Sequence, residues 1–281
     1  DGAQSRGVDT ARLLGSEGAG TTTVRLDVSP SLSTLALSKG SVVLEGQALS
    51  LGSTVGTGGV LESDSGSHVV KVPVRLETDV RLDISKGAAV QFEGVVSGVG
   101  GITKEGTGLA VLLADNTYAG KTVISAGTLQ VGNGGNRGSL GTGNVFLAQG
   151  AELLFNRAGT VVVDNLIEGD GAINIQGDVR LTRRNTNTGG TKVVNGGEFK
   201  LTSAGWSGPI EIDGGTVVVP KELTRISLDS AVTVVGGENG IRVEGSSVAT
   251  LTGVVTGARG LVKTGSGTLE LMGRVSYSGD T

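Results

Sequence analysis

The chain of 281 residues contains no cysteine. That absence removes disulfides, thiol catalysis and cysteine-based zinc or iron–sulfur centres together. Aromatic residues make up only 2% of it, and its Trp and Tyr residues are Trp206, Tyr118 and Tyr277. A core must therefore be assembled from Val, Leu, Ile and Ala, and a stacking platform for sugars is poorly supplied. Only 4 prolines stand beside 51 glycines, the latter far above the roughly 7% of average usage. Neither collagen nor a Pro-rich disordered tract fits that balance. No run of about 18 apolar residues exists, so no transmembrane helix, and no direct membrane insertion by this segment, is expected. Asp1–Ser5 is neither basic nor apolar and does not read as a signal peptide. Positive charge is also scarce in clusters: the net charge is −4, and no Lys/Arg run goes beyond Arg183-Arg184. Without a basic stripe interleaved with aromatics, nucleic acid is not an expected partner.

What the chain does have is internal repetition. Phe92–Thr122 realigns on Leu251–Thr281 without a gap, at a constant offset of 159 (251 − 92). Gly94, Val95, Val96, Gly98, Gly101, Lys104, Gly106, Gly108, Leu112, Tyr118, Gly120 and Thr122 all meet identical residues there. Half of these are glycines; Lys104 on Lys263 and Tyr118 on Tyr277 carry the match beyond composition. Weaker copies lie between. Asn116-Thr117 with Gly120 and Thr122 matches Asn185-Thr186 with Gly189 and Thr191, and Tyr118-Ala119-Gly120 matches Trp206-Ser207-Gly208. Irregular spacing with one-residue slips suits stacked coils of variable length, in which each unit leaves an apolar face for its neighbour to bury.

Short stretches alternate apolar and polar residues, as in Val24–Val28, Val72–Leu76, Val80–Ile84 and Val179–Leu181. Period-two alternation puts Val and Leu on one face of a strand. Turn signals such as Asn133-Gly134-Gly135, Asn195-Gly196-Gly197 and Asp213-Gly214-Gly215 separate them. Repeated Gly-x-apolar-x-apolar units (Lys39–Glu45, Lys86–Glu93, Ala126–Val131, Gln149–Phe155, Gly214–Val219) favour a solenoid over a sandwich or barrel. The fold predicted is all-β: a right-handed parallel β-helix of about a dozen coils at roughly 20–25 residues each. Residues 1–23 are expected to form an N-terminal cap or poorly ordered segment, with a weak helical signal over Val8–Leu14. Residues 24–281 are expected to form a single β-helix. The second copy stops at Thr281 where the first continues through Val123–Gly127, so a piece of a longer polypeptide is expected, with targeting information outside it.

Gly101–Gly108 (GITKEGTG), followed by Asn116–Thr122 (NTYAGKT) and Ala126–Val131 (AGTLQV), resembles the passenger-associated transport repeat of bacterial autotransporters. Gly260–Leu269 with Tyr277–Thr281 resembles it a second time, and the two stretches cover about a fifth of the chain. The resemblance implies a β-helical passenger exported through the outer membrane, found outside the cell or on its surface. It also implies non-enzymatic adhesion, with a host-cell surface, an extracellular-matrix protein or a second copy as partner. The alternative it leaves is a stalk or export-folding segment presenting a separate protease or toxin domain, or a released factor engaging a host receptor. The structural repeat residues are Gly101, Lys104, Gly106, Gly108, Tyr118, Gly120, Gly127, Gly260, Lys263, Gly265, Gly267, Tyr277 and Gly279. A cysteine-free exported protein of this size also suits a bacterium better than an animal secretory pathway.

Chemistry is sparsely provided for. His68, the one histidine, lies in Ser63-Asp64-Ser65-Gly66-Ser67-His68. A triad needs a three-dimensional arrangement, not neighbours in sequence, so His68 reads as part of a polar loop before a strand. The turn at Gly236–Gly240 lacks the Asp and the repetition of a calcium-binding nonapeptide, and the glycine clusters lack a phosphate loop's Gly-Lys-Ser/Thr. Glu152, Asp164, Glu168 and Asp170 are the carboxylates to check for a glycosidase pair. A Tyr at a fixed repeat position is expected to cover an apolar corner with its hydroxyl wet. No catalytic, metal or cofactor residues are assigned, and no cofactor is expected.

Overall fold

Alternation decides which way each short strand faces. In Val80–Ile84 the residues Val80, Leu82 and Ile84 are at most 2% exposed, while Arg81 and Asp83 turn outward. The same in–out pattern runs through Ser41–Gly46, Glu152–Phe155, Ala172–Ile175 and Val248–Leu251. The computed structural model describes residues 10–16, 20–52, 58–202, 206 and 208–280. The described residues form strands and turns with no helix, and parallel strands stack into a β-solenoid of about 12 turns. Two compact units divide it, residues 1–129 with 138–143 and residues 130–137 with 144–281.

In the first unit successive coils through Val96–Gly98 each contribute one strand to each of three parallel sheets, and the coils beginning at Ile102 and Thr122 continue two of them. Gly59–Ser63, Ser67–Val70 and Val74–Leu76 make one coil; Val80–Ile84, Ala89–Phe92 and Val96–Gly98 make the next. The first strands of successive coils begin at Thr34, Gly59, Val80, Ile102 and Thr122, steps of 25, 21, 22 and 20 residues. In-register pairing stacks like on like. Leu44, Val70, Phe92 and Leu112 are successive partners and form one inward column. Such a column supplies the hydrophobic burial that a single coil lacks, at about 25 cal/mol per Å².

The second unit repeats the arrangement on its own strands. Glu152–Phe155, Ala172–Ile175, Thr191–Val194, Ile210–Asp213, Val232–Val234, Val255–Gly257 and Val275–Tyr277 follow one another in one sheet. Asp178–Leu181, Glu198–Lys200, Thr216–Val219 and Gly240–Val243 follow one another in a second. Its columns are again aliphatic with single aromatics, for example Val179, Phe199, Val217 and Ile241.

The strand entries expected at glycine turns occur as left-handed corners: Gly127 has φ 68°, and Gly87, Gly150 and Gly214 share the conformation. The helical signal over Val8–Leu14 is not realised where the structure describes it. Thr10–Leu14 is a strand in register with Thr34–Ser38, because parallel pairing with the next coil outweighs a marginal local preference. Residues 1–9 lie outside the described residues.

Candidate functional site

The repeat residues converge on the seams between coils. Lys104 belongs to an inward column, with Leu61, Leu82, Lys104 and Ile124 as successive partners. It is 0% exposed. Its stem occupies an aliphatic slot, and its Nζ turns along the corner to donate to the carbonyls of Glu105 at 2.8 Å, Gly106 at 2.7 Å and Ala126 at 3.3 Å. Three donors meet three acceptors, so one cation ties its own turn to the next coil. Burial pushes the Lys104 ammonium down to about 8, against the pull of the Asp83 carboxylate.

Tyr118 is also fully buried. Its hydroxyl lies 2.7 Å from Thr122 Oγ1, and the Gly141 backbone N–H bonds it too. Burial pushes the phenol up, with the Thr122 and Gly141 bonds opposing. The expectation of a wet hydroxyl is therefore corrected: the following chain covers the corner, and the hydroxyl finds internal partners instead of water. The glycines let backbones touch. A Cβ on Gly120 would lie 2.3 Å from Gly101 N, and one on Gly279 would lie 2.1 Å from Gly260 N. Gly106, Gly108, Gly265 and Gly267 likewise abut the backbone of a neighbouring coil, with carbonyl oxygens 2.2 to 3.1 Å from a built Cβ.

In the second copy Lys263 pairs in register with Ile241 and donates to Gly265 O at 2.5 Å. Lys263 and Tyr277 are half-buried there. Thr281 lies outside the described residues.

Asn116 and Asn185, noted in the sequence only as matched positions, each perform a specific task. Their Oδ1 atoms accept the N–H of Val96 and of Ile167, both at 2.7 Å, from neighbouring coils. Asn239 accepts the Gly214 N–H at 3.0 Å in the same manner, which gives the Gly236–Gly240 turn a structural role. The signal that could have found Asn116 and Asn185 was Asn-Thr ahead of the repeat's Gly and Thr.

His68 is not in a polar loop. It lies in the strand Ser67–Val70, is 1% exposed, and shares an inward column with Val90. Nε2–H donates to the Ser65 carbonyl at 2.8 Å, and Nδ1 accepts the Val42 N–H at 3.2 Å. Burial pushes the imidazole down, opposed by the Ser65 carbonyl and Asp64. Both ring nitrogens are spent on backbone, and Ser67 is exposed on the other side of the strand. No nucleophile–base pair results.

The four carboxylates are separated by their partners. Glu152 is bonded by Asn174, Asp164 by Thr182 and Asp170 by Thr188, while Glu168 is exposed on another sheet. Among the described residues, no group of three His, Asp or Glu side chains is placed to hold a metal ion. No helix there is long and apolar enough to cross a membrane. Outward charges form ladders instead. Arg81 meets Asp83 at 2.6 Å, Glu105 at 3.3 Å and Glu62 at 3.5 Å, and Arg242 holds Glu198 through two bonds of 2.7 Å.

Residues 102–131 and 261–281 match the model of the Passenger-associated-transport-repeat. The chain is similar to the Adhesin BmaC autotransporter of Brucella suis biovar 1 (strain 1330), at 33% identity over 143 residues. Repeat, relative and fold together fit an autotransporter passenger β-helix. The match takes in 45% of this chain and 4% of that relative. No solved structure matches significantly. The first repeat runs through Lys104, Tyr118 and Thr122, so its recurring chemistry is inward-facing. What distinguishes a passenger-associated repeat here is how one coil is fastened to the next.

Proposed function

We propose that this chain is a passenger segment acting in adhesion without catalysis, displayed on or released from the bacterial surface. The supporting observation is its similarity to an autotransporter named as an adhesin, beside its match to the passenger-associated repeat. Host-cell surfaces, matrix proteins or a second copy of the passenger are the partners this reading favours. A solenoid suits the task because its outward rows are free of core packing and vary without disturbing the columns. A purified chain should bind cultured host cells or immobilised matrix proteins, or clump particles that carry it, and should turn over no peptide, ester or glycan. Absence of all such binding would remove the adhesive reading.

A second reading makes the segment a stalk that folds during export and presents another domain. The burial of the repeat's own Lys104 and Tyr118 favours it, since those residues fasten coils and face no partner. Deleting the segment from its parent protein separates the two readings. Lost adhesion with normal export supports the first; lost export supports the second.

A further inference from the structure

One repeat corner departs from the pattern and leaves buried polar atoms without partners among the described residues. Asn116–Thr122 reads Asn-Thr-Tyr-Ala-Gly-Lys-Thr, and Asn185–Thr191 reads Asn-Thr-Asn-Thr-Gly-Gly-Thr. The flanking roles persist. Asn185 binds the preceding coil as Asn116 does, and Thr191, like Thr122, opens an inward-facing strand and is at most 2% exposed. The central residue has changed from Tyr118 to Asn187. In the first corner the phenol oxygen reaches Thr122 Oγ1 at 2.7 Å. Asparagine is too short to place an oxygen there.

The atoms left behind are a matched set. Asn187 is 1% exposed and donates from Nδ2 to the Gly190 carbonyl at 3.3 Å, but its Oδ1 has no partner among the described residues. Thr191 Oγ1 has none either, although it stands between Ile173 and Ile210 in an aliphatic column. Trp206 packs edge-on to Phe199 with ring centroids 5.2 Å apart. It is 6% exposed, and its Nε1–H also lacks a partner among the described residues. Gly208 ties the pieces to one place: a Cβ there would meet Asn187 O at 2.8 Å, Trp206 Cζ2 at 3.4 Å and Gly190 Cα at 3.5 Å. Thr191 adjoins the same turn, its backbone N–H donating to the Pro209 carbonyl at 2.8 Å.

An acceptor, a donor and a hydroxyl are therefore buried on adjoining turns with no partner among the described residues. Native interiors do not leave such sets dry; they place ordered water among them, typically with about three hydrogen bonds. We propose that the corner formed by Asn187, Thr191 and Trp206 is an internal water-binding site, and that the water takes the part the Tyr118 hydroxyl plays in the first repeat. It accepts from Trp206 Nε1–H, donates to Asn187 Oδ1 and bonds the Thr191 hydroxyl. Two donors and two acceptors on water fit one donor, one acceptor and one group that is both. The repeat thus has two versions of one corner, fastened by a phenol or by water.

Two measurements on this chain test the site. A crystal structure that resolves ordered water should show one water within hydrogen-bond distance of all three side chains. Thr191→Val and Trp206→Phe each remove one leg, so their losses in melting temperature should be non-additive, with the double variant falling by less than the sum of the singles. A corner without water density overturns the proposal, as does direct bonding of Asn187 Oδ1 to Thr191 or Trp206. Strict additivity of the two losses overturns it independently of any crystal.

Discussion

His68 Nδ1 accepts the backbone N–H of Val42, 3.2 Å away on the preceding coil, while its Nε2–H is held by the Ser65 carbonyl. The bond fixes the neutral imidazole, since a protonated ring has no acceptor to offer Val42. Burial lowers the folded-state value below 6.5, so the unfolded chain binds the proton first as pH falls. Stability is complete above that unfolded value and is lost as pH drops toward the folded one. Unfolding midpoints should therefore fall on acidification from neutral pH, and part of that fall should vanish in His68→Val. The variant itself should be weaker by about 1–3 kcal/mol at neutral pH, because the Val42 N–H is left buried and unpaired. An unchanged acid slope in His68→Val would show that carboxylates alone set it.

Lys104 behaves in the same sense at the alkaline end. Its folded value of about 8 lies below the ordinary 10.5, so between these limits the unfolded chain holds more protons. Stability should rise with pH across that window. Lys104→Met keeps the stem and removes the charge. It should flatten the alkaline rise and cost about 1.5–3 kcal/mol at pH 7 through the three abandoned carbonyls. Lys263→Met, at a half-buried position with one carbonyl bond, should cost under about 1 kcal/mol in denaturant unfolding. Equal losses would mean that coil-to-coil fastening is not what the lysine contributes.

Much of this was readable in advance because stacking copies local rules. Val80–Ile84 announces its faces by alternation, and Gly127 announces its corner by position in a repeated unit. Lys104 and Tyr118 announce that they matter by recurring. Their burial could not be read, because Lys and Tyr are ordinarily surface-seeking and only the covering coil reverses that. His68 misled for the same reason: five polar or small residues, Glu62–Gly66, precede its strand, and Val42, the residue that explains it, is 26 positions away. Val8–Leu14 misled because a lone segment shows its propensity but not its neighbour. No outward row carries a sequence signal for a partner, since outward rows have no packing constraint that would repeat.

The tyrosine makes a graded test of the corner. Tyr118→Phe removes a hydroxyl bonded to Thr122 and Gly141 while leaving the ring. A loss of about 1–3 kcal/mol in chemical unfolding is expected, from stranding those two groups in the interior. Tyr277→Phe, at a half-buried position, should change stability by less than about 0.5 kcal/mol. If Tyr118→Phe were neutral, the hydroxyl would be reaching water after all.

Three glycines separate conformational strain from steric crowding. Gly87 has φ 83° with nothing within 4 Å of a built Cβ. Gly87→Ala should therefore report left-handed strain alone, about 1 kcal/mol. Gly215 is outside the left-handed set; Gly214 turns the corner, at φ 74°. A Cβ on Gly215 would instead press on Val193, 2.8 Å from its carbonyl carbon, so Gly215→Ala should cost about 1–3 kcal/mol as overpacking. Gly127 combines both effects, with φ 68° and a Cβ 2.6 Å from the carbonyl oxygens of Gly106 and Gly108. Those oxygens belong to backbone and cannot swing away. Gly127→Ala should be the most damaging of the three, near the sum of the other two at about 2–4 kcal/mol. Denaturant midpoints for the three variants check the order, and a Gly127 loss no larger than that of Gly87 would mean the neighbouring coil yields to the methyl group.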